Sequence, residues 1–159
     1  MTSVLLVCLG NICRSPTAEG VLRAMCEAEG VGEQLRIDSA GTGGWHVGNP
    51  PDPRAIAAAA KRGVDLSYLR ARQATAEDFH DFDFILAMDS SNYRDLEALR
   101  PQGSRAILAR FLSFAGAGAP IDVPDPYYGG DDGFDAVLDL IEEASSGFIE
   151  HLRSEKLVT

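Results

Sequence analysis

Val4-Leu5-Leu6-Val7 is a continuous run of branched apolar residues that stops at Cys8, and by Ser15-Pro16 the chain already carries a helix-start signal. A run this short and this uniformly apolar reads as a strand buried on both faces. Ser15 is expected to be the N-cap and Pro16 the first helical residue. Behind them Ala18, Val21, Leu22 and Met25 recur at helical spacing. A buried strand feeding straight into a helix constrains the rest of the chain to supply more of the same.

It does so. Leu35–Ser39 reads as a second strand, ending at Ala40-Gly41-Thr42-Gly43-Gly44. Asp52-Pro53 opens an alanine-rich helix through Lys61, with Gly63 as its stop. Thr75-Ala76-Glu77-Asp78 has the form of a capping box for a short helix, with Asp in place of the usual Glu. Phe82–Met88 is a third strand, followed by a helix from Ser91 to Leu99, and Ala106–Leu112 is a fourth strand. Phe134, Val137, Leu138, Ile141, Phe148, Ile149 and Leu152 mark a long amphipathic helix. The expected fold is α/β: a single doubly wound domain over residues 1–159, with a four-stranded parallel sheet flanked by helices, flavodoxin-like, in strand order 2-1-3-4. Such sheets bind ligands beyond the carboxyl ends of their strands. Residues 8–15, Ser39, Asp89 and the loop after the fourth strand all fall there.

Charge and cysteine usage narrow the function. A formal net charge of −10 over 159 residues offers no basic face to nucleic acid or an anionic membrane. An anionic substrate has to be drawn in by a local positive field. The amino terminus has no basic segment of a signal peptide, and no apolar stretch approaches the ~18 residues that span a bilayer. Three cysteines, Cys8, Cys13 and Cys26, cannot all pair with one another, so a reducing, cytoplasmic setting is expected.

Cys8 to Arg14 has the form Cys-x5-Arg, followed by Ser15. A loop entering a helix gathers unpaired backbone N–H groups and the positive end of the helix dipole, which suits a phosphate-sized dianion. Gly10 and Asn11 tolerate left-handed backbone angles, so the N–H groups of Leu9, Gly10, Asn11, Ile12 and Cys13 can turn inward as a nest. Arg14 supplies a planar fork for two phosphoryl oxygens. In that field the Cys8 thiol is expected to ionise below the ordinary ~8.5 and act as a nucleophile, with Ser15 donating to the sulfur. The Walker pattern is absent, since no Gly-Lys-Ser/Thr follows Gly10. His46, His80 and His151 show no metal-ligand spacing with the cysteines, so neither a metal nor another cofactor is expected. Cys26 reads as packing on the first helix.

With these residues in view, the chain resembles the low-molecular-weight protein tyrosine phosphatases. The matching segments are CLGNICRSP, DSAGTGGW, GNPPDPRA, ARQATAEDF, FDFILAMDSSN and DPYYGG, spread over nearly the whole chain in the family's order. The resemblance implies hydrolysis of phosphotyrosine and small aryl phosphates through a phosphocysteine, without a metal. It makes Cys8 the nucleophile, Arg14 the phosphate clamp and Asp125 the general acid and base. Read from the residues alone, Pro124 and Pro126 restrict the backbone around Asp125, and Asp122, Asp131 and Asp132 remain rivals for the role. Trp45, Tyr127 and Tyr128 look like the aromatic walls of a slot deep enough for an aryl phosphate and too deep for phosphoserine. Ser39 and Asn11 resemble the hydrogen-bond network behind the cradle, and Asp89 a carboxylate that supports it. Tyrosine-phosphorylated proteins are the implied partners, with inorganic phosphate and other oxyanions as competing ligands.

One position departs from the family. Leu69 stands where a histidine often precedes the Ala-Arg-Gln segment and buttresses the loop asparagine, so Asn11 is expected to be held less firmly. Three other readings compete. A protein arginine phosphatase of the same fold favours threonine at the position of Ile12. An arsenate reductase would need further cysteines that FILAMDSSNYRD lacks. A non-catalytic phosphate-binding module would not need both Cys8 and Asp125.

Overall fold

In a computed structural model that describes residues 1–128 and 132–159, four strands form one sheet: β1 (Thr2–Cys8), β2 (Leu35–Gly41), β3 (Phe84–Ala87) and β4 (Ile107–Arg110). Every pairing is parallel and the order is β2-β1-β3-β4, as expected. The helices are α1 (Arg14–Ala28), α2 (Pro53–Ala60), α3 (Asp78–Asp81), α4 (Ser90–Leu99) and α5 (Asp132–Ser154).

β1 is buried along its whole length, and its alternating side chains serve two cores. Val4 and Leu6 join Phe84 and Leu86 beneath α1 and α5. Leu5 and Val7 join Ile85, Phe79 and Leu96 on the side of α3 and α4. Each such leucine or valine, fully withdrawn from water, contributes about 1.5–3 kcal/mol. The central strand therefore cannot shift register without emptying both cores, and its carboxyl end is a fixed platform.

Several element ends differ from expectation. α1 begins at Arg14 with Cys13 as its N-cap, and no side chain caps it. Ser15 lies inside the first turn, and its hydroxyl is used elsewhere. β4 stops at Arg110, because Phe111–Phe114 tighten into a 3₁₀ turn that sends Phe111 and Leu112 into the core. There Phe114 packs edge-on to Phe148, with ring centres 5.1 Å apart. The stop at Gly63 does form: at φ 79° it lets its own N–H reach Ala60 O, and Val64 N–H reach Ala59 O. Of the capping box, one half is made, from Thr75 N–H to Asp78 Oδ2 at 2.8 Å. Among the described residues no helix is long and apolar enough to cross a membrane.

Candidate active site

Cys8 is the last residue of β1 and Arg14 the first of α1, so the loop between them is anchored at both ends. The carbonyls of Cys8 and Leu9 accept from Thr42 N–H and Gly43 N–H, each at 2.9 Å. Gly41 permits this close approach, since a Cβ there would lie 2.7 Å from Leu9 O. Asn11 takes the left-handed conformation at φ 58°, and its N–H donates to Cys8 Sγ at 3.2 Å.

A polar chain runs behind the sulfur. Asn11 Nδ2 donates to Ser15 Oγ at 2.8 Å and to Ser39 Oγ at 3.0 Å. Ser15 Oγ thus receives one hydrogen and has one to give, with Cys8 Sγ 3.0 Å away and Ala40 O at 3.3 Å. Ser39 in turn donates to Glu19 Oε1 at 2.7 Å. Glu19 is buried on α1, and burial raises its pKa despite the Ser39 hydrogen bond and the Arg23 ion pair. Asn11 is thus not loosely held. Its Oδ1 accepts from Arg72 N–H at 3.0 Å, while Leu69 packs away with Ala59 and Leu66.

Arg14 is buried, with Nη1 on Asp89 Oδ2 at 2.6 Å and on Val123 O at 3.1 Å. Burial works against its charge, but Cys8, then Asp89 and Asp125, hold the guanidinium above its ordinary value. Val123 also donates its N–H to Met88 O, so the segment that follows is tied to the end of β3. That tie brings Asp125 Oδ2 to 3.6 Å from Arg14 Nη2. Of the rival carboxylates, Asp122 accepts from Ser90 N–H and Oγ, Asp132 lies at the start of α5, and Asp131 lies outside the described residues.

These groups line a cavity of about 160 Å³ that Cys8, Leu9, Gly10, Ile12, Cys13, Arg14, Asp125 and Tyr127 share with His46. Burial pushes the Cys13 thiol up to about 12, with Asp52, Cys8 and Asp125 adding to it, so Cys13 presents a neutral wall. Trp45 does not line the cavity. It is 73% exposed and its ring lies against Gly43. His46, which the sequence reading passed over, stands beside Gly10 instead. The side chain of Tyr128 lies outside the described residues. Glu19 was also missed. Its position one turn after Ser15, between the apolar Ala18 and Val21, was the available signal. Among the described residues, no three His, Cys, Asp or Glu side chains gather as a metal-ligand set.

A parallel α/β sheet with a Cys-x5-Arg loop at the carboxyl end of its central strand defines a narrow class. The model of the low molecular weight phosphotyrosine protein phosphatase family matches residues 3–158. The chain belongs to that family, and so to the phosphoric monoester hydrolases. A relative from Schizosaccharomyces pombe, named low molecular weight phosphotyrosine protein phosphatase, is 50% identical over 141 residues, covering 87% of this chain and 90% of its own. The crystal structure of a protein tyrosine phosphatase from Entamoeba histolytica, with Hepes in its active site, superposes with a TM-score of 0.93. It is 36% identical and covers 98% of this chain and 99% of its own. A Drosophila arginine phosphatase is also similar, with a TM-score of 0.88, 34% identity, and coverage of 95% and 97% of the two chains.

Proposed function

We propose that the protein, as one domain over residues 1–159, hydrolyses phosphotyrosine and small aryl phosphates through a phosphocysteine intermediate. The supporting observation is a sulfur, with Asn11 N–H donating to it and the Ser15 hydroxyl beside it, in a cavity also lined by a buried guanidinium and a carboxylate. The Cys8 thiolate attacks phosphorus in line, while Asp125 gives its proton to the departing phenolate oxygen. Sulfur gains the phosphoryl group and the phenol leaves neutral. Asp125, now ionised, takes a proton from water as that water attacks the phosphocysteine, and Cys8 leaves as a thiolate steadied by Ser15. Arg14 and the amides of residues 9–14 hold the equatorial oxygens throughout. Ser39 and Asp89 act at one remove, by fixing Asn11 and Arg14.

Tyr127 and Ile12 line the slot for the aryl ring, and Trp45 is left outside it. A recessed sulfur favours long phosphoryl side chains, so tyrosine-phosphorylated proteins are the proposed partners, with phosphate and other oxyanions competing. The proposed setting is cytoplasmic, on cysteine usage. A second reading, arginine phosphatase, is favoured by the likeness to the Drosophila protein. Against it, Ile12 brings no hydroxyl to the cavity. Side-by-side hydrolysis of phosphotyrosine, phosphoserine and phosphoarginine peptides, with Cys8→Ser as control, tests both. Phosphotyrosine is expected to be the fastest substrate and Cys8→Ser inert. A Cys8→Ser protein that still releases phosphate overturns the nucleophile.

A further inference from the structure

Two side chains outside the proposed chemistry connect the cradle to the loop that carries Asp125. Asp52 N–H donates to Ile12 O at 2.8 Å, which pins the start of α2 to the cradle. The Asp52 carboxylate accepts from Arg54 N at 2.8 Å, Nε at 3.1 Å and Nη2 at 2.9 Å. That same Nη2 donates to Tyr127 O at 2.9 Å. The guanidinium also lies over the rings of Tyr127 and Phe134, at 5.6 and 5.0 Å from their centres. One peptide further back, Tyr127 N–H donates to Asp125 Oδ1 at 3.0 Å.

We propose that Arg54 is a positioning residue for Asp125, a strut that carries the geometry of the cradle through Asp52 and Tyr127 to the carboxylate above it. This rests on the reading of Asp125 as the general acid. An acid for a leaving phenolate must sit over the slot. The Asp125 side chain is 36% exposed and only 3.6 Å from the Arg14 guanidinium, which attracts it down toward the phosphate subsite. A tether on the Tyr127 peptide opposes that collapse. The planar fork of arginine meets Asp52 and Tyr127 O together, which the single ammonium of lysine cannot do with the same geometry. Arg54 is also 39% exposed at its side chain, so its removal leaves the core intact.

The test compares wild type, Arg54→Ala, Arg54→Lys and Asp125→Asn on aryl phosphates whose phenols differ in acidity. A well-placed acid makes kcat/KM nearly independent of the leaving group. For Arg54→Ala we expect kcat/KM on phenyl phosphate to fall about tenfold or more, with less than about threefold loss on p-nitrophenyl phosphate, whose anion leaves unaided. Vanadate inhibition should be unchanged, and Arg54→Lys should restore little. Amide hydrogen exchange should quicken at Asp125 and Tyr127 and stay constant at 9–14. An Arg54→Ala protein with the wild-type leaving-group dependence and wild-type exchange overturns the strut. Vanadate binding that weakens in step with kcat/KM also overturns it, since the defect then lies in the cradle. If Asp125→Asn hydrolyses phenyl phosphate at the wild-type rate, the acid assignment fails instead, and the exchange data still decide whether Arg54 holds the loop.

Discussion

The backbone N–H of Arg72 donates to Asn11 Oδ1 at 3.0 Å, and this bond decides which way the Asn11 amide faces. With the oxygen so engaged, Nδ2 is committed to Ser15 and Ser39. Asn11→Ala removes all three bonds and leaves an alanine in the left-handed region. It should lose about 2–4 kcal/mol in urea denaturation and most of its phosphatase activity. Asn11→Gly relieves the backbone and not the hydrogen bonds, so it should recover about 1 kcal/mol. Full recovery in the glycine variant would show that the side chain is dispensable.

Replacing Leu69 with the histidine common in the family should not tighten oxyanion binding, contrary to what the sequence suggests. Leu69 is buried against Ala59 and Leu66, and the Asn11 side-chain oxygen already accepts from Arg72 N–H. Leu69→His should cost about 1–3 kcal/mol for burying a polar ring, with the phosphate inhibition constant unchanged. A lower constant would restore the buttress idea.

Alkylation should single out one thiol. Burial lifts Cys13 to about 12 and Cys26 to about 11, so both stay protonated and slow to react at about pH 7.5. Iodoacetamide followed by peptide mapping should label Cys8 first, and phosphate should protect it. Early label at Cys13 contradicts this.

Glu19 should make stability depend on pH in a defined direction. Its folded pKa is raised above the ordinary 4.5 by burial, so the native state holds the proton more tightly than the unfolded chain. The corresponding stability is fully present below the ordinary value and is lost as pH rises through the folded one. The Tm of wild type relative to Glu19→Gln should therefore be most favourable near pH 4 and decline toward neutrality. A difference that does not vary with pH counts against a raised pKa.

Gly147→Ala should destabilise the packing of α5 on the 3₁₀ turn that follows β4. A Cβ at this position would overlap the Phe114 carbonyl, and both are backbone-fixed. A loss of at least about 2–3 kcal/mol is expected, readable as a lower urea midpoint. A midpoint within error of wild type would mean the helix can shift without cost.

The strand and helix alternation was legible because β1 announces itself: four apolar residues buried on both faces belong in a parallel sheet. Cys8 and Arg14 were legible because a loop between a strand and a helix has few shapes. What stayed hidden depends on direction rather than identity. Ser15 reads as a cap by type, yet the helix starts two residues earlier than that cap implies, and the Ser15 hydroxyl faces the sulfur. Trp45 and His46 are neighbours, and only the path of their loop decides which enters the cavity. Glu19 has the look of a solvated helix residue until Ser39, from another strand, appears beside it. Arg54 sits two residues after a cap, and its reach to Tyr127 crosses 73 residues of sequence.

Cys8 closes one regular element and Arg14 opens the next, so the five-residue span between nucleophile and clamp is held at both ends. Adding or removing a single residue there would have to be absorbed within that span, beside the Cys8 and Leu9 carbonyls already tied to Thr42 and Gly43, and would displace the Asn11 amide that faces the sulfur. Evolution of new substrate preferences on this scaffold is thereby steered to the rim, where His46 lines the cavity from a loop outside the span from Cys8 to Arg14.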